Sequence, residues 1–425
     1  MMLDRLKRLE RPIRVGIIGA GAMGRGLVYQ AAVTPGLEPT AVADVRVERA
    51  AACGDLIGKE AQVVHSAQEA TEAVGRGRLA ACEDGMAVAT CEGIDVLIES
   101  SSSVVEGAEF VAAALKRGTP VVLMNSETDL AFGSWFMELA TSHGTVCTSC
   151  DGDQHGVIKR LVEDVELWGF KLVLAGNIKG FLNREADPTN IIPEADKRNL
   201  DYRMCTAYTD GSKLAIEMAL LANSLGLRTD IPGMHGPRAG HVREATELFE
   251  LERLRQGAAP VVDYVLGAQP DGGVFVVGHC DHPYQREMMA YYKMGPGPFY
   301  VFYRPYHLCH VEAMEGVAAA VLDREALLQP DHGLLTDVVA YAKQDLPAGT
   351  VLDGLGGYSC YGMLENQAPT AAEEGLPICM SEGVRTRRPF RSGERIGMED
   401  VDRDVAAPGW AMWQLSREAA DRISS

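Results

Sequence analysis

Basic residues are in deficit in this chain: 40 lysines and arginines stand against 59 aspartates and glutamates in 425 residues, a formal net charge of −19. Neutralising a nucleic-acid backbone takes a basic face, so no nucleic-acid partner is expected. An anionic small molecule would have to be drawn in by a local cationic pocket. Long apolar runs are also missing. No stretch reaches the roughly 18 uninterrupted apolar residues of a membrane span, so no membrane partner is expected. Met1–Glu10 spaces its leucines among charges and lacks the apolar region of a signal peptide. Paired cysteine motifs are absent. Cys147-Thr-Ser-Cys150 has no second C-x-x-C, and it reads as buried strand-end thiols in preference to zinc or redox chemistry. Ten cysteines scattered through apparent core elements suit reduced thiols and a cytoplasmic location.

What the chain does have is apolar material and glycine, 47% and 45 residues, enough for two or three ordinary cores. Its most informative segment is Arg14-Val-Gly-Ile-Ile-Gly-Ala-Gly-Ala-Met-Gly24. Val15, Ile17 and Ile18 suit a buried parallel strand, and Leu27–Ala32 can continue as a helix. Between them Gly19, Gly21 and Gly24 form G-x-G-x-x-G. Gly19 permits the tight turn, Gly21 lets backbone approach a pyrophosphate, and Gly24 lets the helix pack on the strand. The helix-start amides, including those of Ala22 and Met23, then face the phosphates. A second strand, Pro39–Ala43, ends in Asp44, about twenty residues on, where a carboxylate can accept hydrogen bonds from ribose hydroxyls. The plain alternative is a glycine-rich turn without a ligand. In this context the segment predicts a nicotinamide dinucleotide site, with NAD(H) favoured over NADP(H). Arg46 and Arg49 offer the competing reading, since either could reach a 2′-phosphate; paired to Asp44 or Glu48 they would be ordinary surface groups.

Strand and helix signals alternate over residues 1–150. A helical stretch runs from Glu48 to about Val74, then a polar insertion. Val96–Ile98, Pro120–Met124 and Gly144–Ser149 read as further strands, with a helix around Glu106–Lys116. The pattern predicts an α/β fold with a doubly wound parallel (Rossmann) sheet and a ligand crevice at the strand carboxyl ends. Ser100, Ser101 and Asn125 fall at such ends, placed to flank a nicotinamide or to serve as ordinary polar loops. Residues 151–333 read as an α+β substrate or oligomerisation domain. Residues 334–425 read as a small β-rich module with a C-terminal helix, in which Ala342–Leu352 is weakly echoed by Arg388–Ile396.

Within 151–333 the polar signals cluster. Asp210-Gly-Ser-Lys213 opens a helix running to a C-cap glycine, Gly226. Lys213 and Glu217 share one face of it, whether as a functional pair or as a surface ion pair. Gly233–Arg238 carries His235 and Arg238, and Tyr303–His307 carries Arg304 and His307. Asp281-His-Pro283 follows a third strand, Gly273–Val277. Asp151 and Asp153, spaced to share one face of an extended segment, could hold a divalent ion (Mg or Mn) or substrate hydroxyls, or could form a plain turn.

These segments carry a specific resemblance. The N-terminal half resembles the homoserine dehydrogenase superfamily. The whole chain, from about residue 12 to about 400, resembles the 1-deoxy-D-xylulose 5-phosphate reductoisomerase-like (DRL) proteins, which add a C-terminal SAF-type module. Glu194–Asn199, Asp210–Lys213 with Glu217-Met-Ala, Gly233–Ala239, Gly273–Val277 with Asp281–Pro283, and Arg304–Leu308 carry it. Homoserine dehydrogenases place a lysine where this chain has Ser126, and their helical aspartate and lysine appear here in reversed order as Lys213 and Glu217. A literal homoserine dehydrogenase is therefore not expected. Asp44 likewise departs from what an NADPH enzyme would keep against a 2′-phosphate.

The resemblance implies an α-ketol or retro-aldol rearrangement joined to hydride transfer. Its family reaction takes 1-deoxy-D-xylulose 5-phosphate to 2-C-methyl-D-erythritol 4-phosphate. In that chemistry Lys213 would shuttle a proton or stabilise developing negative charge, since desolvation in a cleft can lower an amine pKa. Glu217 would hold it, with Lys179 and His307 as further catalytic candidates. Asp151, Asp153, His235, Arg238, Arg304 and Lys197 would contact the substrate. The alternatives are an NAD-dependent dehydrogenase of a sugar acid or homoserine-like substrate, and a non-catalytic dinucleotide sensor. A homo-oligomer is expected.

Overall fold

Seven parallel strands carry the N-terminal part of the chain, described here from a computed structural model covering residues 1–198 and 200–424. Asn199, which closes the Glu194–Asn199 segment, and Ser425 lie outside the described residues. Two compact units result: Met1–Gly156 with Leu308–Gln329 and Met412–Ala420, and Val157–His307 with Pro330–Ala411 and Asp421–Ser425.

The first unit holds β1 (Ile13–Ile18), β2 (Leu37–Ala43), β3 (Ala61–Val64), β4 (Leu79–Cys82), β5 (Val96–Glu99), β6 (Val121–Leu123) and β7 (Cys147–Ser149). Their order is β3-β4-β2-β1-β5-β6-β7, and every pairing is parallel. The chain builds outward from β1 to one side, then crosses to β5 on the other. The crevice of such a sheet therefore opens at the carboxyl ends of β1 and β5. Val15, Ile17, Val42 and Ile98 fill the core, joined by Leu27 and Val28 of the helix Ala22–Val33 and by Met314 and Val317 of the helix Cys309–Leu322. This is the doubly wound sheet expected. The single helical stretch after Glu48 is not found: two helices, Val47–Ile57 and Ala67–Gly75, flank β3, and β4 follows. Both strands have four residues, and alanine-rich Leu-Ala-Ala-Cys carries helix propensity that its place between paired strands overrides.

The second unit is built on β8 (Lys171–Lys179), β9 (Val261–Leu266), β10 (Val274–His279) and β11 (Phe299–Arg304), in the order β11-β10-β8-β9. β8 and β9 are parallel and the other pairs antiparallel. Leu174, Ile178, Val265, Phe275 and Val277 form its core. β12 (Thr336–Ala342) and β13 (Cys360–Asn366) pair antiparallel, as do the short β14 (Arg385–Thr386) and β15 (Val401–Asp402). The two echoing segments lie against each other. Leu346 and Phe390 exchange both backbone hydrogen bonds at 2.8 Å, and Ala342 N–H donates to the Glu394 carbonyl. Among the described residues no helix is long and apolar enough to cross a membrane.

Candidate functional site

The glycine turn after β1 is shaped by three different demands. Gly19 has φ +92°, and a Cβ there would come within 2.6 Å of the Ser100 carbonyl oxygen. A Cβ on Gly24 would lie 1.7 Å from the Gly19 carbonyl oxygen, so only glycine allows the helix so close to the turn. Gly21, the N-cap of Ala22–Val33, has open space on its Cβ side, where a pyrophosphate could approach the amides of Ala22 and Met23. These features fit a dinucleotide.

Asp44, just past β2, is turned toward that loop. Its Oδ2 accepts from Ala20 N–H at 2.8 Å and its Oδ1 from Arg46 N–H at 2.9 Å, while the Arg46 side chain is exposed. The strand-end residues brace one another. Ser100 Oγ donates to the carbonyls of Ile18 and Gly19, and Ser101 N–H donates to Glu99 Oε1 at 3.0 Å. Asn125 caps the helix Ser126–Ser142 through Thr128 N–H and donates to the Ser103 carbonyl.

Two carboxyls in this region are buried: Glu99, which the sequence places at a strand end without indicating its burial, and Asp129, which it does not single out. Burial pushes Glu99 up to about 7, against the hydrogen bonds of Ser101 and Asn125 that favour its charge. Burial also pushes Asp129 up to about 7, with Ser149 Oγ donating to its Oδ2. An acid closing an apolar strand, Val96-Leu-Ile-Glu99, was the available signal for the first.

Asp151 and Asp153 do not lie on an extended segment. They sit in a turn around Gly152, at φ +84°, where Asp151 Oδ1 accepts from Gly152 N–H and Asp153 Oδ1 from Gln154 N–H. The glycine between them, free to adopt positive φ, breaks the two-residue alternation on which the shared face depended. Cys309 Sγ lies 3.7 Å from Asp153 Oδ1. Burial pushes the thiols of Cys147 and Cys150 well up, and no disulfide joins them.

In the second unit the helix Ser212–Leu225 ends at Gly226, φ +72°. Lys213 and Glu217, one turn apart, are only 5% and 1% exposed, which removes the surface ion-pair reading. The turn before this helix is tightly held: Asp210 Oδ1 accepts from Ser212 N–H, and its Oδ2 pairs with Lys343 at 3.0 Å. Lys179, the last residue of β8, donates to the Tyr208 carbonyl at 2.7 Å.

His235 and Arg238 share one loop. His235 Nε2 is 2.7 Å from Asp230 Oδ2, and Arg253 grips both oxygens of that carboxylate. Hydrogen bonding from Arg253, with His235 adding to it, holds Asp230 down to about 2. The loop itself hangs on Asp263 of β9, whose carboxylate accepts from His235 and Gly236 N–H at 3.0 and 2.9 Å. Burial raises Asp263, and those bonds oppose the rise. Asp263 was not foreseen, because a lone aspartate in the run Val261–Leu266 gave no motif. Arg304 ends β11 with its guanidinium 4.5 Å from the Tyr306 ring centre, and His307 follows, half-buried. Arg238 and Lys197 are exposed, Lys197 on the short helix Ile192–Arg198.

A glycine-turn sheet joined to a segment dense in buried ionisable groups defines a dinucleotide-using enzyme. Residues 152–313 match the family model of the oxidoreductase DRL catalytic domain. The chain is an NAD(P)-dependent oxidoreductase. Among solved structures it is similar to a probable dehydrogenase from Thermotoga maritima (11% identity, 73% of this chain and 88% of that chain, TM-score 0.44). It is also similar to 1-deoxy-D-xylulose 5-phosphate reductoisomerase from Zymomonas mobilis in complex with NADPH (17%, 49% and 57%, TM-score 0.33). A third is KijD10, a 3-ketoreductase from Actinomadura kijaniata in complex with NADP (16%, 74% and 91%, TM-score 0.38). Likeness at this level carries no argument about substrate. No curated protein matches the chain.

Proposed function

We propose that this oxidoreductase acts on a small hydroxylated anion of the sugar-phosphate type, as a reductoisomerase or dehydrogenase. The family-implied conversion of 1-deoxy-D-xylulose 5-phosphate to 2-C-methyl-D-erythritol 4-phosphate is the first candidate. The observation that carries the reading is the burial of Lys213 and Glu217, one turn apart at a helix start, inside the oxidoreductase segment. A buried lysine beside a carboxylate is suited to carry a proton to or from a substrate hydroxyl and to stabilise a developing alkoxide or enolate. Arg304, His307, Arg238 and His235 supply the cationic groups that an anionic substrate needs, arginine being favoured for its two-pronged donors.

Gly19, Gly21, Gly24 and the first amides of Ala22–Val33 would hold the dinucleotide, which when bound donates the hydride to a carbonyl in a reduction or accepts it from an alcohol in an oxidation. Asp44 makes NAD(H) the favoured form. Asp151 and Asp153 are carboxylates of the kind that bind magnesium or manganese alongside water and substrate oxygens, and chelation with add-back of either ion tests that part. The homo-oligomer and the cytoplasmic location belong to the same reading.

Nicotinamide absorbance followed across a panel of sugar phosphates, sugar acids and homoserine tests the proposal. Turnover with a phosphorylated sugar is the expected result. Turnover only with a sugar acid or homoserine would replace the substrate class, and tight dinucleotide binding without turnover on any member would favour a sensor.

A further inference from the structure

The buried ammonium of Lys343 lies just beyond β12, outside the segment that matches the oxidoreductase family. Its side chain is 4% exposed, and it has three acceptors: the carbonyls of Ala186 and Gly357 at 2.7 and 2.8 Å, and Asp210 Oδ2 at 3.0 Å. Three N–H donors meet three oxygens, so the charge is paired and its hydrogen bonds are complete.

The other oxygen of Asp210 accepts from Ser212 N–H, the residue before Lys213. Ser212 Oγ in turn accepts from Gly362 N–H of β13 at 2.7 Å, and Arg184 donates to the Asp210 carbonyl at 2.8 Å. Between Asp210 and Ser212 the chain passes through Gly211 at φ +88°, where a Cβ would come within 2.8 Å of Arg184 Nη1. The start of the Lys213 helix is therefore fixed by groups from residues 184–186 and 343–362, brought together around Asp210, Ser212 and the Lys343 ammonium.

We propose that Lys343 is a positioning residue for Lys213, acting through Asp210 to set the first turn of the helix Ser212–Leu225. The C-terminal β-rich stretch then contributes directly to the active helix. A lysine buried merely for stability would need no relay to the residue next to Lys213. The role extends the catalytic reading of Lys213, and the test separates the two.

The full-length protein is compared with Lys343→Met and with Asp210→Asn/Lys343→Met, which removes both charges at nearly constant volume. With active enzyme counted by dinucleotide binding, kcat is expected to fall on the order of 10- to 100-fold in both, with KM for the dinucleotide within about twofold. The double variant is expected to recover thermal stability but not kcat, because no lone buried charge remains while the relay is still broken. Wild-type kcat in either folded variant overturns the proposal, and if Lys343→Met does not fold the double variant decides.

A second arm avoids turnover. Reductive methylation of Lys213 by formaldehyde and borohydride, read by mass spectrometry with exposed Lys116 as internal control, is expected to speed up at least about fivefold as the helix start loosens. An unchanged rate overturns the positioning role. A faster rate alongside an active Lys213→Ala enzyme leaves the positioning role standing and removes the catalytic one.

Discussion

The glycine turn after β1 and the helix start before Lys213 are both places where backbone is held in one conformation, yet they are held differently. At the turn the constraint is steric and close by: Gly19 and Gly24 touch each other and the loop after β5, the neighbouring strand. At the helix start the constraint is polar and comes from afar, through Asp210, Lys343, Arg184 and Gly362. The first should tolerate changes elsewhere in the chain but no added methyl at its tight positions. The second should respond to changes well over a hundred residues away, because one buried charge depends on another.

Breaking the polar side at its centre should give the largest effect. Lys213→Ala is expected to lower kcat at least about 100-fold while dinucleotide affinity stays within about twofold, as for loss of a proton-transfer group. An alanine variant keeping more than about a tenth of kcat, a loss under ~1.4 kcal/mol, removes Lys213 from the mechanism.

The steric side is sharpened by two neighbouring glycines. Gly24→Ala places a methyl against the Gly19 carbonyl oxygen and is expected to cost at least about 3 kcal/mol of stability, visible as a lowered Tm. Gly21→Ala meets open space, so Tm should hold while dinucleotide affinity weakens on the order of tenfold through the narrowed approach. Equal Tm losses in the two would mean that Gly21 serves packing alone.

The same contrast explains which features could be read in advance. G-x-G-x-x-G, the strand ending in Asp44 and the C-cap at Gly226 are local patterns, each enforced by neighbours a few residues away. Lys213 and Glu217 were visible as a pair, but their spacing alone could not distinguish a buried face from a surface one. β3 and β4 were lost inside alanine-rich sequence because strand identity there depends on pairing partners. Asp263 and Lys343 had no local signal: each is a single polar residue whose partners arrive only when distant segments meet.

Buried acids give the next test. Glu99 and Asp129 sit near 7 in the folded chain, against ordinary values of 4.5 and 3.8. The folded state thus keeps protons that the unfolded state releases. Their contribution is fully present below pH ~4 and is lost as pH rises through about 7, on the order of 3–4 kcal/mol for each group. Glu99→Gln and Asp129→Asn should therefore flatten the decline of Tm between pH 5 and pH 8, and both variants should be the more stable proteins at the upper end. A wild-type Tm that rises over that range would show that both carboxyls ionise freely despite their burial.

The smallest effect is expected in cofactor choice, at the carboxylate tied to the glycine turn. Asp44 is held to the glycine turn through Ala20 N–H, so its carboxylate is fixed in place, whereas the Arg46 side chain is exposed. A fixed carboxylate can accept hydrogen bonds from free ribose hydroxyls and repels a 2′-phosphate, while a mobile arginine must first give up side-chain freedom to bind one. At an effective dielectric near 20 the repulsion is worth a few kcal/mol at contact, reduced by solvent to about 1–2 kcal/mol at a crevice rim. NAD(H) should therefore be preferred by roughly tenfold in kcat/KM on a common substrate. Asp44→Ser should erase most of that preference, and Arg46→Ala should leave it nearly unchanged. If the wild-type protein prefers NADP(H), and Arg46→Ala abolishes that preference, then the exposed arginine governs the choice and Asp44 serves only to tie down the turn.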